Sequence, residues 1–535
     1  MARQQRQHYV DSFANQGDFN EQLYLALRQA PWWMISIAIH LMLFFILNLI
    51  DTSEPVKPPP PMVQAALPDN EDIEEDVEET PEDTEEVQEK EVVTEEPVIK
   101  DEEIDDHVET DNDLPDQESF GETEGMSDAP FEGPSNNGTI GLGGGAGGAF
   151  KGRGGSADKT PGGGGKKRND AVMDALKWLK AHQSPGGQWE GDGFQKWCDF
   201  KAAPAGKQPD GVGKEGMYDP GITGLALCAF LGAGYTNRGK HPFKTTVSKG
   251  LRYLKNVQDP EGCFGARASP NFIYNHATAS LAMVEAYGMT ESTIFKTSAQ
   301  RCLEFIAISR NPYFAWRYGV KPGDNDSSVT GWMMMAIKSA KLINADAKKR
   351  GKSPPLVVDE DAFDGVKAWI DKMTDPDYGR VGYITRGSGP ARPKHLVDRF
   401  PNEKSESMTA VGVLAKIFMG IDPKKDEMMR KGAELCYKLP PVWNESDGSI
   451  DMYYWYYGAL AMHQMGGKYW KAWKEGLEKS VIETQRKDTD YCMFKGSWDP
   501  IGPWGIEDGG RVYSTALLAM CLQVWYRYDR VFGTK

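Results

Sequence analysis

Several functions are excluded by what this chain has little of. It has seven cysteines in 535 residues, all from Cys198 onward, and no Cys-x-x-Cys, so paired zinc knuckles are ruled out. The odd count leaves at least one thiol unpaired. Cys228, Cys302, Cys436 and Cys521 sit in apolar helical stretches, where a thiol acts as a small buried hydrophobe. No run of five Lys or Arg occurs, so a focused basic face for nucleic acid is absent. Acidic charge is confined to one place. Residues 69–128 carry a net charge of -27 against -17 for the whole chain, which leaves residues 129–535 at +11. The low pI therefore belongs to one segment, and the rest is mildly basic. Gly162–Gly165 precede Lys166, but no Ser or Thr follows and no strand precedes, so this is not a phosphate-binding loop.

Only one long apolar run is present, PWWMISIAIHLMLFFILNLI at 31–50. Twenty residues rising 1.5 Å each span about 30 Å, the hydrocarbon thickness of a bilayer. No Ala-x-Ala cleavage site accompanies it, so the expectation is a retained transmembrane helix. Arg3, Arg6 and Arg28 precede it and only Lys57 follows closely. That bias places residues 1–30 in the cytoplasm and everything after residue 50 outside. Ser36 and His40 lie four residues apart, on one helix face, and a histidine in hydrocarbon is expensive unless it has a partner.

This Ser-x-x-x-His helix, followed by Glu54-Pro-Val-Lys-Pro-Pro-Pro-Pro61, resembles the anchor of TonB-type energy transducers. The resemblance covers about 35 residues. It implies that Ser36 and His40 couple to an ExbB/ExbD-like (MotA/TolQ-type) proton-driven motor in the inner membrane, with the remainder periplasmic. The small C-terminal domain of that family is not recognisable. Residues 51–168 instead form a linker in three blocks: Pro-rich, then the acidic segment, then the Gly-rich stretch 136–165. Such compositions cannot bury enough apolar surface to fold.

Residues 169–535 repeat. A helix ending in an aromatic, Gln, Gly, aromatic pattern recurs as ALKWLKAHQSPGGQW (Ala175–Trp189) and GLRYLKNVQDPEGCF (Gly250–Phe264). It recurs in CLEFIAISRNPYFAW (Cys302–Trp316), where the Gln is lost, and more loosely at Val366–Tyr383 and Leu435–Trp443. The sixth copy regains Gln485 and Gly496-Ser-Trp498. Each copy is followed by an apolar helix rich in small residues: Gly221–Ala229, His276–Val284, Val329–Ala336, Met408–Ala415, Tyr456–Met462 and Tyr513–Met520. Small residues permit close packing in an inner ring, with the amphipathic helices outside. The expected fold is all-α, an α6/α6 toroid over 169–535.

The Gln…Gly…Trp pattern resembles the QW motif of the terpenoid cyclase and prenyltransferase superfamily. The ending, including YYWYYGALAMHQMGG (Tyr453–Gly467) and GGRVYSTALLAMCL (Gly509–Leu522), is similar to bacterial prenyltransferase/squalene-oxidase repeat proteins. The superfamily holds both enzymes and binding domains, so fold alone does not decide function. Cyclases of this kind protonate an alkene with Asp-x-Asp-Asp. Here Asp324-Asn-Asp326 is followed by Ser327, so the last acid is missing. The last inner helix opens Arg511-Val-Tyr513 without the His that the prenyltransferase zinc site would need, and Cys-x-Glu-Gln is absent. No metal and no cofactor are expected. What remains is a set of polar and aromatic residues just before the inner helices: Asp219, Tyr274, Asn275, His276, Asp324, Asp326, Glu406, Tyr453, Tyr454, Arg511 and Tyr513. If the ring closes they converge on one mouth, the expected binding site for a peptide, glycan or lipid. The alternatives are a terpenoid-processing enzyme and a passive envelope scaffold.

Overall fold

The computed structural model describes residues 164–197, 216–239, 241–268, 271–487 and 494–527. The apolar run 31–50, with Ser36 and His40, and nearly all of the linker lie outside the described residues. Among those described, no helix is long and apolar enough to cross a membrane.

Among the described residues, twelve α-helices alternate between two layers. The outer helices are α1 (Gly164–Ala181), α3 (Lys244–Asn256), α5 (Thr293–Ser309), α7 (Ala362–Met373), α9 (Glu427–Lys438) and α11 (Gly467–Leu477). The inner helices are α2 (Asp219–Gly232), α4 (Phe272–Thr290), α6 (Ser327–Lys349), α8 (Ser407–Phe418), α10 (Met452–Met465) and α12 (Gly510–Arg527). Sequence explains the layering. In α3 the buried residues are Thr246, Val247, Gly250, Leu251 and Leu254, a single stripe at helical spacing. All fourteen residues of α2 are buried. Gly224 makes that possible, because a Cβ there would lie 2.6 Å from the Ala279 amide nitrogen of α4.

The inner helices pack in sequence order, α2 on α4, α4 on α6, and so on to α10 on α12, and α12 packs back on α2. Gln523 of α12 donates to the Ala229 carbonyl of α2 at 2.7 Å across that seam. The ring is closed, and the chain forms the α/α toroid of six helix pairs that the repeats imply. No strand occurs among the described residues, only two isolated bridges.

The repeated motif is the mortar between pairs. Gln183 donates to Gly187 O within its own loop and to Thr246 O of the next outer helix. Gln258 does the same with Gly262 O and Ser298 O. Gln485 does it with Gly496 O at 2.9 Å and with Ala171 O of α1 at 2.8 Å, closing the outer ring. Gly496 (φ +90°) must be glycine, since a Cβ would sit 2.4 Å from the Asp174 carbonyl oxygen. The motif tryptophans anchor inward: Trp189, Trp316 and Trp498 each donate an indole N–H to a carbonyl of their own outer helix or its extension. In the third repeat Arg310 stands where the Gln is lost, donating to Phe314 O and to Asp359 just before α7. Gln485→Ala removes both of these buried hydrogen bonds. It should cost about 1–3 kcal/mol, read as a lowered unfolding midpoint, and a neutral result would contradict this account of closure.

Candidate functional site

Consecutive loops leading into the inner helices contact one another: Asn271 donates to the Tyr218 hydroxyl, Ser327 to Gly382 O and Ser405 to Asp451, which sets these inner-helix N-termini along one rim. Within it the structure gathers a cluster around α6. Asp326 caps that helix: Oδ1 accepts from the Val329 amide at 2.7 Å. Its side chain is 0% exposed, and Oδ2 has no hydrogen-bond partner. The nearest cation, Arg317 Nε, stands 4.0 Å from Oδ2, beyond hydrogen-bond reach. The same guanidinium is ion-paired with Asp324.

Tyrosines enclose this carboxyl. Tyr318 and Tyr383 share a hydroxyl–hydroxyl bond of 2.5 Å. Tyr274 of α4 packs on Tyr318, ring centroids 5.8 Å apart. Ser328 donates to the Tyr453 hydroxyl of α10 at 3.0 Å. Trp332, one turn further along α6, packs edge-on against Tyr453 and stacks on Tyr456. Two of these hydroxyls, Tyr318 and Tyr383, are engaged with each other and Tyr453 with Ser328, and burial pushes those of Tyr274, Tyr318, Tyr383 and Tyr453 upward. Burial also pushes the Asp326 carboxyl up to about 7, against smaller lowering by the Val329 amide and Arg317. Near neutral pH this group is therefore shared between acid and carboxylate forms. It can either donate or accept one hydrogen bond from an aromatic enclosure.

The other expected residues divide. Tyr513 of α12 is half-buried, and burial pushes its hydroxyl up, reinforced by Asp451 and Tyr453. Tyr454 is one residue from Tyr453, about 100° further round the helix. It points outward, donates to Leu439 O at 2.9 Å and packs edge-on against Trp473 of α11. His276 is spent on structure: Nδ1 accepts from the Phe264 amide, Nε2 faces Cys302 O at 3.2 Å, and burial lowers it to about 3. Glu406 takes two bonds from Arg380 and one from Thr409. Arg511 is held by Ser497 and Asp499. Asp219 accepts from the Gly191 amide, and burial pushes it up to about 6, reinforced by Asp192 and Glu190.

Asp451 provides an internal comparison. It caps α10 as Asp326 caps α6, with Oδ1 accepting from the Tyr454 amide at 3.0 Å. Its Oδ2, however, is filled by Arg392 at 2.8 Å and Ser405 at 2.8 Å. Capping alone therefore does not require an open oxygen, and the opening at Asp326 is a feature of that site. Arg317, Tyr318, Ser328, Trp332 and Tyr383 were not singled out by motif. Their signal is positional, because Arg317 and Tyr318 directly follow the motif tryptophan Trp316. Among the described residues no group of three or more His, Cys, Asp or Glu is disposed to hold a metal.

No protein-family model matches the chain. A dammaradiene synthase of Dryopteris crassirhizoma is 27% identical over 139 residues, 23% of this chain. The match spans 18% of that relative's own length. Among solved structures, the GH76A α-1,6-mannanase of a Salegentibacter species superposes with TM-score 0.43 at 9% identity, covering 67% of this chain and 98% of its own. A cellobiose 2-epimerase from Bacillus thermoamylovorans gives 0.42 at 13% identity, covering 67% and 98%. A type II terpene cyclase from Scytonema gives 0.38 at 11% identity, covering 67% and 97%.

Proposed function

We propose that this chain is an inner-membrane-tethered, periplasmic capture protein whose toroid binds a peptide, glycan or lipid at the Asp326 mouth. The observation that carries the reading is the open Oδ2 of Asp326, a fully buried polar atom facing aromatic walls. Such an atom costs about 1–3 kcal/mol unpaired, and a ligand that bonds it recovers that cost. Coupling to an ExbB/ExbD-like motor through Ser36 and His40 belongs to the same proposal and rests on the sequence of the apolar run. The test uses the detergent-solubilised full chain, exposed to periplasmic peptide, glycan-fragment and total-lipid extracts, with retained molecules identified by native mass spectrometry. Wild type should retain a species that Asp326→Asn does not. Equal retention by both sinks the site. His40→Leu should keep that capture and lose co-purification of a motor partner; unchanged co-purification leaves a plain anchor.

A second reading is favoured by two observations. The carboxyl of Asp326 is held near neutrality at about 7, and the local identity is to a dammaradiene synthase. In this reading Asp326 is the proton donor of a terpenoid-processing enzyme. Ser327 does not supply the missing acid. Its hydroxyl donates to Gly382 O at 2.7 Å and accepts from the Trp369 indole, away from the enclosure.

A further inference from the structure

The open oxygen of Asp326 needs an explanation, because a cation stands beside it. Arg317 lies between two carboxylates, paired with Asp324 and 4.0 Å short of Asp326. At α10 no comparable arrangement holds Arg392 back. Its other bonds go to the Phe400 and Ala391 carbonyls, and it reaches Asp451 at 2.8 Å.

The placement of Asp324 is itself fixed. Asn311 donates to the Asp324 carbonyl at 2.6 Å and to Asn325 Oδ1 at 3.0 Å. Asn325 Oδ1 also accepts from the Ala315 amide at 2.9 Å, and the Gly323 amide donates back to Asn311 Oδ1 at 2.8 Å. The Asp326 amide is pinned to Trp316 O at 2.9 Å. Asn311 directly follows Arg310, the residue that replaces the motif Gln. In this repeat, then, the motif loop is tied to the segment that carries Asp324. The same loop holds Tyr313 and Lys321 at φ +64° and +46°, left-handed values that side chains other than glycine seldom adopt.

We propose that Asp324 is a positioning residue: by holding the Arg317 guanidinium it keeps that cation from closing on Asp326, and so keeps Oδ2 open for a ligand. This rests on the reading of Asp326 as the ligand-facing group. The charged and titratable groups around Asp326 are few. Arg317, Tyr318 and Asp324 come from the loop before α6, Tyr274 from α4, Tyr383 from the loop after α7, and Tyr453 from α10. Only Arg317 can neutralise the carboxylate, so the partner that Arg317 chooses decides the state of the site. A free Asp326 is the form that burial pushes up to about 7; one closed on by Arg317 would be a saturated ion pair like Asp451–Arg392.

The experiment needs no ligand. Full-length protein in detergent is titrated by infrared spectroscopy, and the protonated-carboxyl band of Asp326 is isolated by subtracting the spectrum of Asp326→Asn. Asp324→Asn should lower the midpoint of that band by one pH unit or more, a tenfold change in the protonation equilibrium. Arg317→Gln added to Asp324→Asn should raise it again. A midpoint that Asp324→Asn leaves in place, or a fall that persists without Arg317, overturns the proposal. Circular dichroism checks folding. Asp324→Ala is the second variant, and if neither folds, Asp324 is structural and the proposal falls. The capture experiment is separate: equal retention by wild type and Asp326→Asn removes the site reading and leaves this titration standing.

Discussion

Asp326→Asn should make the toroid more stable at pH 8 and deprive it of its function. The sign follows from where the proton sits. The carboxyl has an ordinary value of 3.8 and is pushed up to about 7 in the fold. Between those values the unfolded chain has released the proton and the folded chain has kept it, so stability falls as pH rises. The penalty is absent below the lower value and complete above the upper one. At 1.36 kcal/mol per pH unit it reaches on the order of 4 kcal/mol. Asparagine caps a helix about as well as aspartate, so the Val329 contact at α6 survives. Denaturant unfolding of both proteins should therefore agree near pH 4, diverge up to about pH 7 and hold that gap at pH 8, with the variant above. Ligand capture should be lost at every pH. If the toroid is instead an enzyme, turnover of squalene or a prenyl diphosphate should drop by about 10²–10⁴. A variant less stable than wild type at pH 8 would show that the Asp326 carboxylate is paired after all.

Those two effects on one residue also show what the sequence makes legible. The six-fold recurrence of an amphipathic helix followed by a small-residue apolar helix gives the two layers, because periodicity reports which faces must be buried. The role of Asp326 as a cap is readable from its place before an apolar run, as Asp451 is before Met452. What cannot be read is where each mouth residue points. Tyr453 and Tyr454 are adjacent in sequence and diverge by a third of a helical turn. One meets Ser328 and the other the outer layer. His276 and Glu406 look equally exposed to function in the sequence, yet each is consumed by partners from other segments, the Phe264 loop and Cys302 of α5 for one and the Arg380 loop for the other. Partnering is a tertiary fact. Arg317 and Tyr383 were missed for the same reason: they lie 66 residues apart and meet only because the ring sets consecutive loops side by side, Arg317 within 6.0 Å of the Tyr383 ring.

Arg392→Met should be among the most damaging single changes in the toroid, and Arg317→Met a mild one, although both arginines stand beside a capping aspartate. The Arg392 and Asp451 side chains are 2% and 1% exposed. Removing the arginine leaves a carboxylate without its counter-charge in a dry interior, with Ser405 its one remaining side-chain donor at Oδ2. Breaking a buried pair in this way costs about 3–5 kcal/mol. It also releases the Phe400 and Ala391 carbonyls that Arg392 holds. Arg317 is 22% exposed and its partner Asp324 31%. A pair that open to solvent is worth about 0–1 kcal/mol. The charge account predicts its own rescue. Asp451→Asn keeps the cap on the Tyr454 amide and removes the stranded charge, so Arg392→Met with Asp451→Asn should recover most of the loss. Urea unfolding of the two single variants and the double variant completes the cycle. A double variant as unstable as Arg392→Met alone would mean that Arg392 acts through packing of its loop and not through Asp451.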